Sequence, residues 1–344
     1  MNAWRRPTAI LVLSVTLTAA ASGSGPERAA RYAYATSKNI MIAPNRILGV
    51  VPGEWTVRQL QWSPDGSRLA WLMTRDSGKV SQIGLASTRV GGATRTWACV
   101  CDRIAFHGHL LVSDDPGAEN AELLTYPLTG DVGRLTLSEG NWPPLVIVGA
   151  STRPDGVVLR ENSEFSGGPQ RMYRLSSDGR FWPLAVSSGS RPPAGAAFDH
   201  EGSRMAYIAQ GHGGICNNTG TPVVVDLKSG RQLTVAPPQV AGNRRWHTRA
   251  VWFDRRGEVY ASLILGPACA DPRVRQVEPE VYRLRGDRWT PTGERAIRQD
   301  HGPDGRRLDV VGRVAVDAVG IVDSGALTLE PGGVRGVTAV AWSP

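Results

Sequence analysis

The chain has 344 residues, 40 of them Gly and 24 Pro, and a formal net charge of +8. That length suits one large or two ordinary domains, and frequent Gly and Pro with few helix formers between them argue against a helical bundle. Lys is rare beside Arg, and the Arg residues are scattered rather than massed, so the basic balance excludes nucleic acid as the leading partner.

The first residues, MNAWRRPTAILVLSVTLTAAASGSG, place Arg5 and Arg6 before an uncharged, mostly apolar run from Ala9 to Ala21 and a small-residue exit. This is the layout of a secretory leader. The run is too short for a bilayer core, which needs about 20 residues. A signal peptide is therefore expected over 1–23, with cleavage near 21–25, followed by a single domain over 31–344. No later stretch is long and apolar enough for a transmembrane helix in the mature chain. The expected location is outside the cytoplasm, secreted or in a periplasm-like cell envelope.

Next come three strand-like runs, RYAYAT, NIMIAP and RILGVV, and then the segment LQWSPDGSRLAWL at 60–72. Ser63-Pro64-Asp65-Gly66 suits a tight turn: Ser at the first corner, Pro fixing φ at the second, Gly closing at the fourth. The segment returns as FDHEGSRMAY at Phe198. Weaker copies are TRPDGVVL at Thr152, FDRRGEVYASL at Phe253 and HGPDGRRLDVV at His301, with a degenerate FHGHLLVS at Phe106. The chain ends on VTAVAWSP, a copy cut short. Each full copy continues into a third apolar run (QIGLAS, ELLTYPL, RMYRL, PVVVDL, VYRL), a Gly-containing turn and a fourth run. Four strands recurring at about 45 residues match the blade of a β-propeller.

WSPDGSRLAWL closely resembles the repeat of TolB-like, WD40-like propellers, whose blades carry an aromatic-Ser-Pro-Asp-Gly signature. The resemblance covers the mature chain, strongly at 62–72 and 198–207 and loosely elsewhere, and leaves no room for the α/β domain that precedes the TolB propeller. In that family the residues before the Pro-Asp-Gly turn form the innermost strand of a blade. The resemblance thus implies an all-β, seven-bladed propeller of four-stranded antiparallel blades. One blade would be closed by the N-terminal strands and the C-terminal strand 337–342. Six blades is the alternative, if residues 31–55 lie outside the ring.

Asp65, Asp155 and Asp304 occupy one position of one repeated turn and read as turn formers. Four cysteines in an exported chain point to disulfides. Cys216 and Cys269 fall in equivalent loops of neighbouring blades and are the preferred pair, worth about 4 kcal/mol by loop entropy. Cys99 and Cys101 then pair with each other or stay free. Neither a metal at Cys99, Cys101, His107 and His109 nor calcium at Asp114, Asp115 and Glu119 is the preferred reading, and no cofactor is expected. His107-Gly-His109 is assigned to the turn of the second blade.

No nucleophile-base-acid, metalloprotease or phosphate-loop motif is present, so the expected function is non-catalytic. One face gathers the loops 114–122, 161–168, 211–221 and 268–280, with the links 140–144 and 242–249. Trp142, Arg244, Arg245, Trp246 and His247 are the anchor candidates there, since Trp and Arg dominate binding hot spots. The competing reading has Trp142 and Trp246 plugging gaps between blades. The chain is expected to act as a monomer that binds a protein or a cell-envelope component. The alternative is a hydrolase or lyase acting on a carbohydrate or lactone around the central channel.

Overall fold

The computed structural model describes residues 31–344 except 76–77, 79, 116–120, 138–142, 152–155, 163–169, 177–179, 187–190, 211–219, 243, 268–274, 317–320, 325–326 and 331. Among the described residues the regular structure is β-strand, arranged as seven four-stranded antiparallel sheets and one accessory three-stranded sheet. No described helix is long and apolar enough to cross a membrane. Trp142, Asp155, Cys216 and Cys269 lie outside the described residues.

The seven sheets are blades, and their first strands adjoin in order round a closed ring. Those innermost strands are Thr56–Trp62 in blade 1, Ile104–His107 in blade 2, Leu145–Ala150 in blade 3 and Arg191–Phe198 in blade 4. Arg244–Phe253, Arg298–His301 and Val337–Trp342 serve blades 5, 6 and 7. Trp62, Phe198, Phe253, His301 and Trp342 end their innermost strands and Phe106 lies one residue before the end of its own, while the remaining repeat position, Thr152, lies outside the described residues. In blade 7 the innermost strand pairs with Tyr32–Thr36, followed outward by Asn39–Ile42 and Arg46–Val50. Ala33 faces Ala341 and Tyr34 faces Val340 across that join. The ring therefore has seven blades and is closed by strands from both ends of the chain.

The turn chemistry follows from the repeat. Gly66 donates its N–H to the Ser63 carbonyl at 2.9 Å, and its φ of 65° lies in the left-handed region that glycine adopts without cost. Gly202, Gly257 and Gly305 repeat both features in blades 4, 5 and 6. Asp65 accepts hydrogen bonds from the Ser63 hydroxyl (2.6 Å) and from the backbone N–H of Ser67 (3.0 Å). Burial pushes its carboxyl up, but these bonds more than offset the burial and bring it down to about 2. Asp65 is thus a turn residue.

Each seam between blades carries its own apolar cluster. Among the described residues, six seams hold nine to twelve buried residues each. The cluster confined to the seam of blades 5 and 6 has three, Trp252, Val281 and Ala296, while Ile264 of blade 5 is buried with Ile297 and Leu308 of blade 6 in the cluster that continues to blade 7. Aromatic residues at the repeat position act as staples. Trp62 of blade 1 donates Nε1–H to the Ala341 carbonyl of blade 7 at 3.1 Å. Trp342 of blade 7 donates to the Asp300 carbonyl of blade 6 at 3.0 Å. Both acceptors directly precede the repeat position of the blade before.

Above blades 5 and 6, Arg275–Val277 pairs with Val314–Val316, which pairs with Ile321–Ser324. These segments come from the second-to-third-strand connections of the two blades. Part of the expected 268–280 loop is therefore a strand tying one blade to the next. Glu278 fixes the attachment through Arg295 (2.6 Å) and Arg313 (3.3 Å).

Trp62→Phe keeps the wedge and removes the hydrogen bond, leaving the Ala341 carbonyl without its donor. It is expected to destabilise the protein by about 1–2 kcal/mol with an unchanged denaturant slope, read by urea unfolding.

Candidate functional site

The repeat itself generates the candidate site. The sixth copy reads HGPDG, so His301 stands where Trp62 and Trp342 stand in blades 1 and 7. An imidazole is shorter than an indole and does not fill the wedge. The space left between blades 5 and 6 is a groove of about 370 Å³, at the seam with the smallest apolar cluster. Its wall includes Asp254, Tyr260, Arg283, Glu294, His301 and Arg307.

The polar groups of the groove are held in place. Asp254 Oδ1 accepts the backbone N–H of Arg256 (2.9 Å) and Glu258 (2.8 Å), closing the blade 5 turn. Its other oxygen lies 3.5 Å from the Tyr260 hydroxyl. Glu258 pairs with Arg283. Arg307 bridges two carboxylates, Glu294 through Nη1 at 2.9 Å and Asp309 through Nη2 at 2.8 Å. Gln299 Nε2, buried, donates to the second oxygen of Glu294 at 2.7 Å. Burial pushes Glu294 up, but the bonds from Gln299 and Arg307 outweigh it and hold the carboxyl below its ordinary value. At Asp309 burial prevails over the pull of Arg307, and the carboxyl is raised above its ordinary value.

His301 is half-buried and makes no side-chain hydrogen bond among the described residues. Burial holds its imidazole below the ordinary value, although Asp254, Asp300 and Asp309 oppose the shift. It is neutral at pH 7 and offers one donor and one acceptor. The groove can therefore hold a polar ligand between fixed cations and fixed anions, with an uncharged imidazole at its base. Among the described residues no group of three or more His, Cys, Asp or Glu side chains is arranged to hold a metal ion.

The residues singled out from sequence lie elsewhere. Arg244 and Arg245 are exposed at the start of the innermost strand of blade 5. Trp246 and His247 belong to the same strand, and both are buried. Trp246 packs edge-on against Tyr282 at 5.4 Å. The expected link 242–249 is thus mostly strand, because the axis-facing edge of an innermost strand tolerates the polar residues that suggested a loop. Cys99 and Cys101 have their sulfurs at bonding distance, 2.07 Å. His107 and Gly108 end a strand and begin a turn, and His107 Nε2 lies 2.7 Å from the Ser176 carbonyl.

Of Asp114, Asp115 and Glu119, Glu119 lies outside the described residues and Asp114 belongs to a strand rather than to the expected loop 114–122. Asp114 ends the second strand of blade 2, fully buried, with Oδ1 accepting the N–H groups of Asp102 (2.9 Å) and Arg103 (3.1 Å). Oδ2 has no partner. Burial raises the carboxyl to about 6.

The chain matches no protein-family model and no curated protein. Among solved structures it is similar to the oligogalacturonate lyase of Vibrio parahaemolyticus, at 10% identity over 67% of this chain and 71% of the lyase, with a TM-score of 0.46. The hydrazine synthase of Kuenenia stuttgartiensis gives 13% identity over 76% of this chain and 77% of that one, with a TM-score of 0.45. The β-propeller domain of the Trilobed protease from Pyrococcus furiosus gives 13% identity, 85% and 83% coverage and a TM-score of 0.43. Likeness at this level carries nothing about activity.

Two outcomes test the local chemistry. His301→Trp should fill the groove and donate to the Trp252 carbonyl, raising stability by about 1 kcal/mol in thermal or urea melts. For Asp114, the folded pKa of about 6 exceeds the ordinary value of 3.8, so the folded state keeps a proton that the unfolded chain releases. Its contribution is present below pH 4 and is lost as pH rises through 6. Asp114→Asn should therefore stabilise the protein at pH 7 by on the order of 2–3 kcal/mol relative to wild type, with the gap closing below pH 4. Unfolding curves across that range check the sign.

Proposed function

We propose that the protein is an exported, TolB-like propeller that serves as a binding module for a protein or a polymer of the cell envelope. It engages its partner at the seam of blades 5 and 6. The observation that carries this reading is the groove at His301, where polar groups of both signs are fixed by one another before any ligand arrives. Arg307 is locked by Glu294 and Asp309, and Arg283 is paired with Glu258. Preorganised side chains lose little freedom on binding, which is how a recognition surface gains affinity. Export rests on the leader-like layout of residues 1–25. Exposed Arg244 and Arg245 begin the strand whose far end borders the groove, so they offer a second candidate surface on the other face of the ring.

One feature favours a second reading. A neutral imidazole beside Asp254 is the pairing a general base requires, so a hydrolase or lyase acting on a carbohydrate or lactone would use His301 to accept a proton.

Crosslinking and pull-down from the native envelope separate these readings. Wild type is expected to capture a partner that His301→Trp, which remains folded, no longer captures. His301→Gln, which keeps a polar side chain, should retain most of the capture. Identical partner sets for wild type and His301→Trp would remove the groove as the binding surface. Turnover of a carbohydrate or lactone that disappears in His301→Gln would move the assignment to the enzyme.

A further inference from the structure

A separate set of side chains meets on the axis of the ring. Arg58, Arg249 and Arg298 all sit on innermost strands, in blades 1, 5 and 6, and all three are exposed among buried neighbours. Two of them occupy one position of the repeat, four residues before its closing aromatic. At both positions the pairing with the second strand skips a residue, between Val57 and Gln59 and between Thr248 and Ala250. A bulge of this kind leaves the extra residue out of the ladder and re-aims its side chain.

Blades 1 and 5 are not neighbours: blades 6 and 7 separate them on one side, and blades 2, 3 and 4 on the other. Crowding by surrounding protein is nevertheless the first cause that holds the Arg249 guanidinium below its ordinary value, although the side chain stays open to water, and the charges of Arg58 and Arg298 add to it. Side chains from opposite sides of the ring interact this way only across the central channel. Arg249 makes no hydrogen bond or ion pair among the described residues. Arg58 uses Nε on the Thr74 hydroxyl at 3.1 Å. Arg298 directs Nε and Nη2 to one oxygen of Asp300, at 3.1 and 2.8 Å, and the other oxygen of Asp300 has no hydrogen-bond partner among the described residues. Three guanidinium groups against one carboxylate leave an excess of two positive charges in a confined space, with the donors of Arg249 unused.

Clustering like charges without a partner is unfavourable and is offset when an anion supplies the missing acceptors. We propose that Arg58, Arg249 and Arg298 form a binding site in the central channel for a doubly charged oxyanion group, a phosphate ester or a pair of carboxylates. This site is distinct from the groove at His301 and does not depend on it.

The test uses the intact protein at low ionic strength, with inorganic phosphate and succinate as the two probes and calorimetric titration and thermal melting as readouts. Wild type should bind at least one probe, with an affinity that weakens as sodium chloride is added. Arg249→Gln should lower that affinity by about tenfold or more, the loss expected for a charge-assisted contact. Arg288→Gln removes the same charge at the exposed outer strand of blade 5 and should change it by less than about twofold. Without any anion, Arg249→Gln should melt at a higher temperature than wild type, because repulsion is relieved. Phosphate or succinate at saturation should narrow that gap by stabilising wild type selectively. Tight binding of phosphate alone identifies an ester, and tight binding of succinate alone identifies paired carboxylates. The proposal is overturned if wild type binds neither probe, or if Arg249→Gln and Arg288→Gln weaken binding equally.

Discussion

A propeller has no single core. Its stability is distributed over the seams where one blade's side chains meet the next, and everything else in this structure depends on how those seams are filled. The recurring solution is an aromatic wedge at or near the end of the innermost strand, present as Trp62, Phe106, Phe198, Phe253 and Trp342 in five of the seven blades. Trp62 and Trp342 show it most fully, combining a large buried ring with a hydrogen bond to the backbone of the preceding blade. The bond matters because an innermost strand has a pairing partner on one edge only, and side chains must serve the other. Gln59 does the same from blade 1 to blade 2, donating to the Ile104 carbonyl at 2.7 Å and accepting its N–H at 3.1 Å.

The seam of blades 5 and 6 departs from this pattern. With His301 in the wedge position, the cluster confined to this seam has only Trp252, Val281 and Ala296 among the described residues, with Ile264 packed in the cluster of Ile297 and Leu308, and polar ties add to the hold. Ser262 of blade 5 donates its hydroxyl to the Ile297 carbonyl of the next blade at 2.7 Å. The accessory sheet crosses the seam, and Glu278 links segments of both blades through Arg295 and Arg313. Hydrogen bonds at the Arg295 and Arg313 guanidinium groups keep the Glu278 carboxyl below its ordinary value. Polar ties thus supplement a smaller apolar cluster, which leaves room for a groove.

The architecture was legible in the sequence because its two strongest signals are local: a turn whose residues each have a conformational reason, and apolar runs returning at a fixed period. Gly66, Gly202, Gly257 and Gly305 all take the left-handed backbone the turn needs. The blade closed from both ends also followed from local pattern, since VTAVAW lacked its partners and RYAYAT, NIMIAP and RILGVV lacked an innermost strand. What the sequence did not expose depends on distance. Arg58 and Arg249 meet only because the ring brings opposite blades to one axis, and nothing in either segment announces the other. Trp246 and His247 follow Arg244 and Arg245 in a polar stretch that reads as a loop, whereas the strand begins at Arg244 and buries both. His301 did leave a signal, an imidazole in the column of aromatics, which takes on meaning once that column is known to be the wedge.

The join in blade 7 also bears on how the ring is made. Tyr32–Thr36, Asn39–Ile42 and Arg46–Val50 emerge from the ribosome ahead of the other described strands, while Val337–Trp342 emerges after them. During synthesis the first three strands must wait as an unfinished sheet with an unpaired edge, the kind of intermediate that associates with its own copies. Arg31 and Ser343 then clasp at the end, Ser343 donating its N–H to the Arg31 carbonyl at 2.7 Å and its hydroxyl accepting the Arg31 N–H at 3.1 Å. Blade 7 therefore closes only when the last strand has arrived, and a chaperone would have its greatest effect there.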